Sequence, residues 1–159
     1  MQLPPGARKY LLDGLTATPV VIDRLLEGAD VDFDHRPEAD RFTLREMMAH
    51  LADWEPIWLE RMNRLCAEDR PNLESRDPDR AAVDNNYAAA DFEEQRTLFR
   101  EGRSRLLQRL HSLTDAEWER SGTIADWGPM TVSQFSALIL GHDGYHTRQV
   151  AEWLVLCRR

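Results

Sequence analysis

A chain of 159 residues is long enough to bury one core without help from a disulfide or a structural metal. Acidic residues outnumber basic ones by 28 to 20, leave a formal charge of -8, and are spread along the chain, which argues against a nucleic-acid surface. With 42% hydrophobic and 30% charged residues and no apolar run of about 18 residues, the composition predicts one soluble domain over residues 1–159, without a membrane segment.

The opening "MQLPPGARKY" lacks the apolar core of a signal peptide, so a cytoplasmic protein is expected. A first helix is predicted from about Pro5 to Glu27. Leu11, Leu12, Leu15, Ile22, Leu25 and Leu26 recur there at helical spacing, with Gly28 as a stop. Pro19 should kink this helix or start a second piece of it.

The second helix opens at "FTLRE", where Thr43 can cap, Glu46 can complete a capping box, and Phe42 can staple onto Met47. Leu44, Met47, Leu51, Trp54, Trp58, Met62 and Leu65 then form one inward stripe as far as about Cys66. Pro56 removes one backbone bond and should bend the axis. Cys66 and Cys157 lack the close spacing of a zinc or redox motif, which favours free thiols in a reducing compartment. Sequence leaves a disulfide between them open.

"EDRPNLESRDPDRAAVDNN" loses all periodicity and reads as an irregular connection of about 20 residues, long enough to cross a bundle and make the second and third helices parallel. The third helix is predicted over about Tyr87 to Leu113, with Phe92, Phe99, Leu106, Leu110 and Leu113 on one side. "MTVSQF" repeats the capping device with Thr131, Gln134, Met130 and Phe135, so the fourth helix starts near Val132. No strand-like alternation is evident. A four-helix bundle is the expected all-α architecture.

The inward stripe of the fourth helix, Phe135, Leu138, Ile139, His142, Tyr145, His146, Gln149, Val150 and Trp153, contains two imidazoles four residues apart. Such a pair lies on one helix face and can turn toward one metal ion. Taken alone, the pair more often marks two histidines hydrogen-bonded in or beside the core. His50, in "MMAHLADWE", lies at the margin of the second helix's inward face, at a level that would bring it near the pair. Three neutral imidazoles from two helices would hold a divalent transition metal and leave a coordination position open. His35 and His111 read as solvent-facing or structural.

Metal-bound histidines usually donate their second N–H to an acceptor, and Asp53 and Asp143 are candidates for that role, with Glu55 behind them. Trp54, Trp127 and Tyr145 are candidate pocket residues, with a plain core role as the alternative for each. "HDGYH" approaches the metalloprotease pattern H-E-x-x-H, but its aspartate is one methylene shorter than the glutamate that chemistry uses.

The motifs "FTLREMMAHLADWE", "WGPMTV" and "HDGYHTRQV", in this order and separation, resemble the DinB/YfiT-like proteins, small metal-site four-helix bundles. The resemblance extends in outline over the whole chain. It implies an up-down-down-up bundle, a metal held by His50, His142 and His146, and homodimerisation. It also implies transferase or isomerase chemistry on low-molecular-weight thiols. Related ergothioneine-forming domains carry a glutamate two residues after the last histidine; here that position is Arg148. The leading expectation is therefore a metal-dependent thiol S-transferase acting on a small-molecule substrate, its metal zinc, nickel or iron. A metal-dependent hydrolase and a non-catalytic metal-binding stress-response module are the alternatives.

Overall fold

In the computed structural model, which describes residues 3–156, four long helices form the bundle: α1 (Pro5–Leu26), α2 (Leu44–Ala67), α4 (Phe92–His111) and α6 (Val132–Leu156). Two short helices, α3 (Pro78–Asp84) and α5 (Asp115–Trp118), and a 3-10 turn at Tyr87–Ala89 lie in the connections. No helix among the described residues is long and apolar enough to cross a membrane.

The caps set the helix starts. Thr43 accepts from the backbone of Glu46, whose side chain returns to the Thr43 N–H at 2.8 Å. Thr131 and Gln134 make the same reciprocal pair at the head of α6. Phe42 and Met130 each pack on the core cluster that contains the staple partner predicted for it, Met47 and Phe135 respectively. Gly28, at φ 67°, follows the end of α1 in the left-handed conformation that favours glycine.

α1 is one helix rather than two pieces, although Pro19 lies inside it. A proline leaves the carbonyl four residues earlier without its helical partner, here that of Leu15. The Arg103 Nη1 donates to that oxygen at 3.0 Å, so the broken rung becomes a tie from α1 to α4. α2 likewise continues through Pro56, which is exposed.

Helix direction follows from the level of the contacts. Arg45 meets Ala90 at one end of α2 and α4, and Asn63 meets Arg109 at the other, so these two helices run parallel. Asp23 of α1 meets Arg96 and Arg100, while Leu15 meets Arg103, which makes α1 and α4 antiparallel. α1 shares one core cluster with the start of α6 and a second with its end, and is parallel to it. The order is up-down-down-up.

The connection after α2 is more structured than its composition suggests. Asn72–Leu73 (β1) pairs in parallel with Ser121–Ile124 (β2), and β2 pairs antiparallel with Gly128–Thr131 (β3). Asp77 caps α3, with Pro78 at its first position. α4 begins at Phe92 rather than Tyr87 because the Asp91 carboxylate accepts from the Glu94 N–H and fixes the start there. The small sheet joins the α2–α4 connection to the α5–α6 connection along one side of the bundle.

α2 and α4 approach closely at Gly102, where an added Cβ would lie 2.4 Å from the Glu55 Cβ. Alanine would raise helix propensity by about 1 kcal/mol, yet Glu55 is buried and held by Arg103 and cannot yield. Gly102→Ala is therefore expected to lower stability by about 1–3 kcal/mol, the usual cost of overpacking, read as a lower urea midpoint.

Candidate metal centre

His50 on α2 and His142 and His146 on α6 meet across the antiparallel α2–α6 contact. His142 Nε2 stands 3.0 Å from that of His50 and 3.1 Å from that of His146. The three potential ligand atoms lie within 4.8 Å of one another. His50 and His146 are buried and His142 is half-buried.

Burial holds all three imidazoles neutral. It pushes His142 down to about 4, helped by the Arg103 charge, and His146 to about 3 and His50 to about 2, where repulsion between the imidazoles adds to it. Three neutral rings directing nitrogens at one another leave lone pairs facing lone pairs in some tautomers, and a cation between them removes that repulsion. Two imidazole nitrogens on one tetrahedral ion at ~2.1 Å are roughly 3.4 Å apart. The observed spacing at His142 is within a few tenths of an ångström of that value, so the residues fit a divalent transition metal.

The carboxylates expected to orient the imidazoles are committed elsewhere. Asp53 accepts from the Tyr87 hydroxyl at 2.5 Å, Arg76 at 2.6 Å and Asn85 at 3.2 Å. Asp143 faces the interior, where its two oxygens accept from Arg103 at 2.5 and 2.9 Å. Glu55 accepts from the same guanidinium at 2.6 Å. The Nδ1 atoms of all three histidines are buried without a protein hydrogen-bond partner among the described residues. The imidazoles are held instead by ring packing. Trp58 lies edge-on to His142 with centroids 5.5 Å apart, and Trp54 is 5.7 Å from His50.

Arg103 joins the site from behind. Its side chain meets Glu55 of α2, the Leu15 carbonyl of α1 and Asp143 of α6, so one residue of α4 binds the other three helices. Desolvation raises the Glu55 carboxyl to about 7 against the opposing pull of Arg103, while the two carboxylates raise Arg103 itself. This hub fixes α6 beside His142. His35 and His111 are exposed and lie outside the cluster, and Cys66 is a half-buried free thiol; Cys157 lies outside the described residues.

The histidines line a cavity of about 490 Å³. Trp54, Trp127 and Tyr145 line it too. Trp127 is 47% exposed on the β2–β3 turn and Tyr145 is 50% exposed, so neither is a core residue. Three arginines, Arg41, Arg61 and Arg76, also reach the wall, and Asp40, Asp79 and Asp126 are exposed at its edge. No motif in the sequence singles out these arginines. Arg61 nevertheless falls on the stripe Trp54, Trp58, Arg61 and Leu65, an inward slot filled by a cation.

No curated protein matches the sequence significantly. Among solved structures, YfiT from Bacillus subtilis, described as a probable metal-dependent hydrolase with an unusual four-helix bundle topology, superposes with a TM-score of 0.85 at 19% identity. That match covers 96% of this chain and 88% of the other. The sequence model of the DinB superfamily matches residues 15–150, a span that includes all three clustered histidines and both reciprocal caps. The chain belongs to the DinB superfamily.

Proposed function

We propose that this protein is a metal-dependent S-transferase that joins a low-molecular-weight thiol to a small electrophile. The observation that carries the reading is the convergence of three neutral imidazole nitrogens on the wall of a cavity large enough for two small molecules. His50, His142 and His146 would hold the metal. When bound there, a divalent ion lowers the pKa of a thiol or of water and steadies the developing anion.

The protein's own groups favour a thiol over water. A thiol, at an ordinary pKa near 8.5, becomes largely thiolate with a modest shift and needs no general base. Hydrolysis of the metalloprotease kind uses a carboxylate beside the metal. Asp53 and Asp143, the nearest in sequence to the histidines, are both bound by arginine. The indoles of Trp54 and Trp58 give the thiol and its acceptor an apolar bed and exclude water from it. In the transfer, a sulfur–carbon bond forms, the leaving group departs with its electron pair, and the thiol proton passes to solvent.

A hydrolase is the second reading, favoured by the description of the YfiT structure. Metal-loaded protein, assayed with monochlorobimane and a panel of small thiols, is expected to form bimane adducts with release of chloride, and a chelator should abolish the rate. Adduct formation at the uncatalysed rate with every thiol, together with metal-dependent cleavage of an ester or amide in their absence, would overturn the transferase reading.

A further inference from the structure

Arg61 differs from the other arginines of the cavity. It is 6% exposed, and its guanidinium packs 5.5 Å from the Trp54 ring and 5.9 Å from the Trp58 ring. Of its five N–H donors, one has a partner among the described residues: Nη2 donates to the Glu74 carbonyl oxygen at 2.6 Å. No carboxylate oxygen of those residues lies within 4.0 Å of it. Asp126 shares the cavity, but its carboxylate accepts from the Ser75 hydroxyl at 2.5 Å. Burial lowers the Arg61 pKa while the charges of Glu60 and Asp126 partly oppose that, and an arginine stays charged throughout the ordinary pH range.

A buried cation without a carboxylate in contact is costly; of the described residues, the other buried arginine, Arg103, is fully paired, and so are the two partly exposed arginines of this cavity. Arg103 has two carboxylates, Arg76 has Asp53, and Arg41 has Glu38 and Glu152. We propose that Arg61 is the recognition residue for a carboxylate on the ligand, so that the cavity takes a small monocarboxylate-bearing molecule whose other end reaches the three histidines. The second half of that statement rests on the S-transferase reading; the carboxylate subsite does not.

The geometry limits the ligand. Trp54 and Trp58 touch Arg61 on one side, and on the other their rings lie 6.0 and 5.5 Å from the His142 ring. A molecule bridging guanidinium and imidazoles therefore runs along two indoles and has an apolar middle. One unpaired guanidinium matches one negative charge. Arg41 and Arg76, the other arginines of the wall, already have carboxylate partners, so Arg61 is the cation whose charge a ligand would complete.

The test is a calorimetric titration of the metal-loaded full-length protein with 3-mercaptopropionate and with butyrate, each compared with its methyl ester. Both acids are expected to bind about tenfold or more tightly than their esters, as a charge-assisted hydrogen bond predicts. Arg61→Met should erase that preference, Arg61→Lys should retain part of it, and both should keep the wild-type metal content. Equal binding of acid and ester to the wild type overturns the proposal without need of any variant, as does a preference that survives Arg61→Met. Arg61-dependent butyrate binding without thiol turnover would leave the subsite standing and remove the S-transferase reading. Thiol turnover indifferent to the carboxylate would do the reverse.

Discussion

Replacement of His142 by alanine is expected to abolish metal uptake. Protein purified without an affinity tag should carry about one divalent transition-metal ion per chain by elemental analysis, and the variant essentially none. His142 is the sensitive position because its Nε2 stands between the other two, 3.0 Å from one and 3.1 Å from the other. Removing it leaves His50 and His146 facing each other across the gap. Metal at a thousand times its dissociation constant stabilises the folded state by about 4 kcal/mol, so the wild type should melt at higher temperature on metal addition. The variant should not shift. His111→Ala, at an exposed residue of α4, should behave as the wild type. Full metal content in His142→Ala would remove the proposed centre.

The same site has a pH signature. Folding lowers the pKa of each imidazole from the ordinary 6.5 to between about 2 and about 4, so the unfolded chain binds more protons over the interval between. This stability is present above pH 6.5 and is lost as pH falls toward 4, by up to about 1.4 kcal/mol per pH unit for each imidazole. Metal-free protein should therefore show a urea midpoint that falls steeply from pH 6.5 to 5. Metal loading itself should persist through that range, because protons compete poorly for imidazoles whose pKa values lie this far below it.

What could be read from sequence follows the strength of local signals. The two capping boxes and the apolar stripes gave the starts of α2 and α6, and the long connection gave the parallel α2 and α4. Three histidines on inward faces were legible for the same reason, since helical period dictates which side a residue takes. β2 and β3 were not, because "SGTI" and "GPMT" are four residues each and alternate no apolar side chains. They are strands through pairing with one another and with β1, a tertiary fact. Arg103 left a faint trace. Phe99, Arg103, Leu106 and Leu110 follow the period of a buried face, and a charge in such a slot is a reason to look for its counter-charges. Those counter-charges come from 40 and 48 residues away, as Asp143 and Glu55, which periodicity within one helix cannot reveal.

Arg103→Met should be the most destabilising single substitution in the bundle. Glu55 and Asp143, each with a side chain 1% exposed, would lose their shared partner, and the Leu15 carbonyl freed by Pro19 would lose its donor. Breaking one buried pair from one side costs about 3–5 kcal/mol, and here a single change breaks two. The loss should depend on pH in the opposite sense to that of the histidines. Without the guanidinium, whose charge now opposes the shift, burial raises the Glu55 carboxyl further above its unfolded value, as it already raises it to about 7. A raised carboxyl contributes stability that is complete below the unfolded pKa and disappears as pH rises through the folded one. The variant should thus be closest to the wild type near pH 5 and furthest from it near pH 8, in urea melts at both. Substituting all three groups, as Glu55→Gln, Arg103→Met and Asp143→Asn, should recover part of the stability, because neutral groups of similar shape leave no charge unpaired. A single variant as stable as the wild type at pH 8 would mean that the hub does not hold the four helices together.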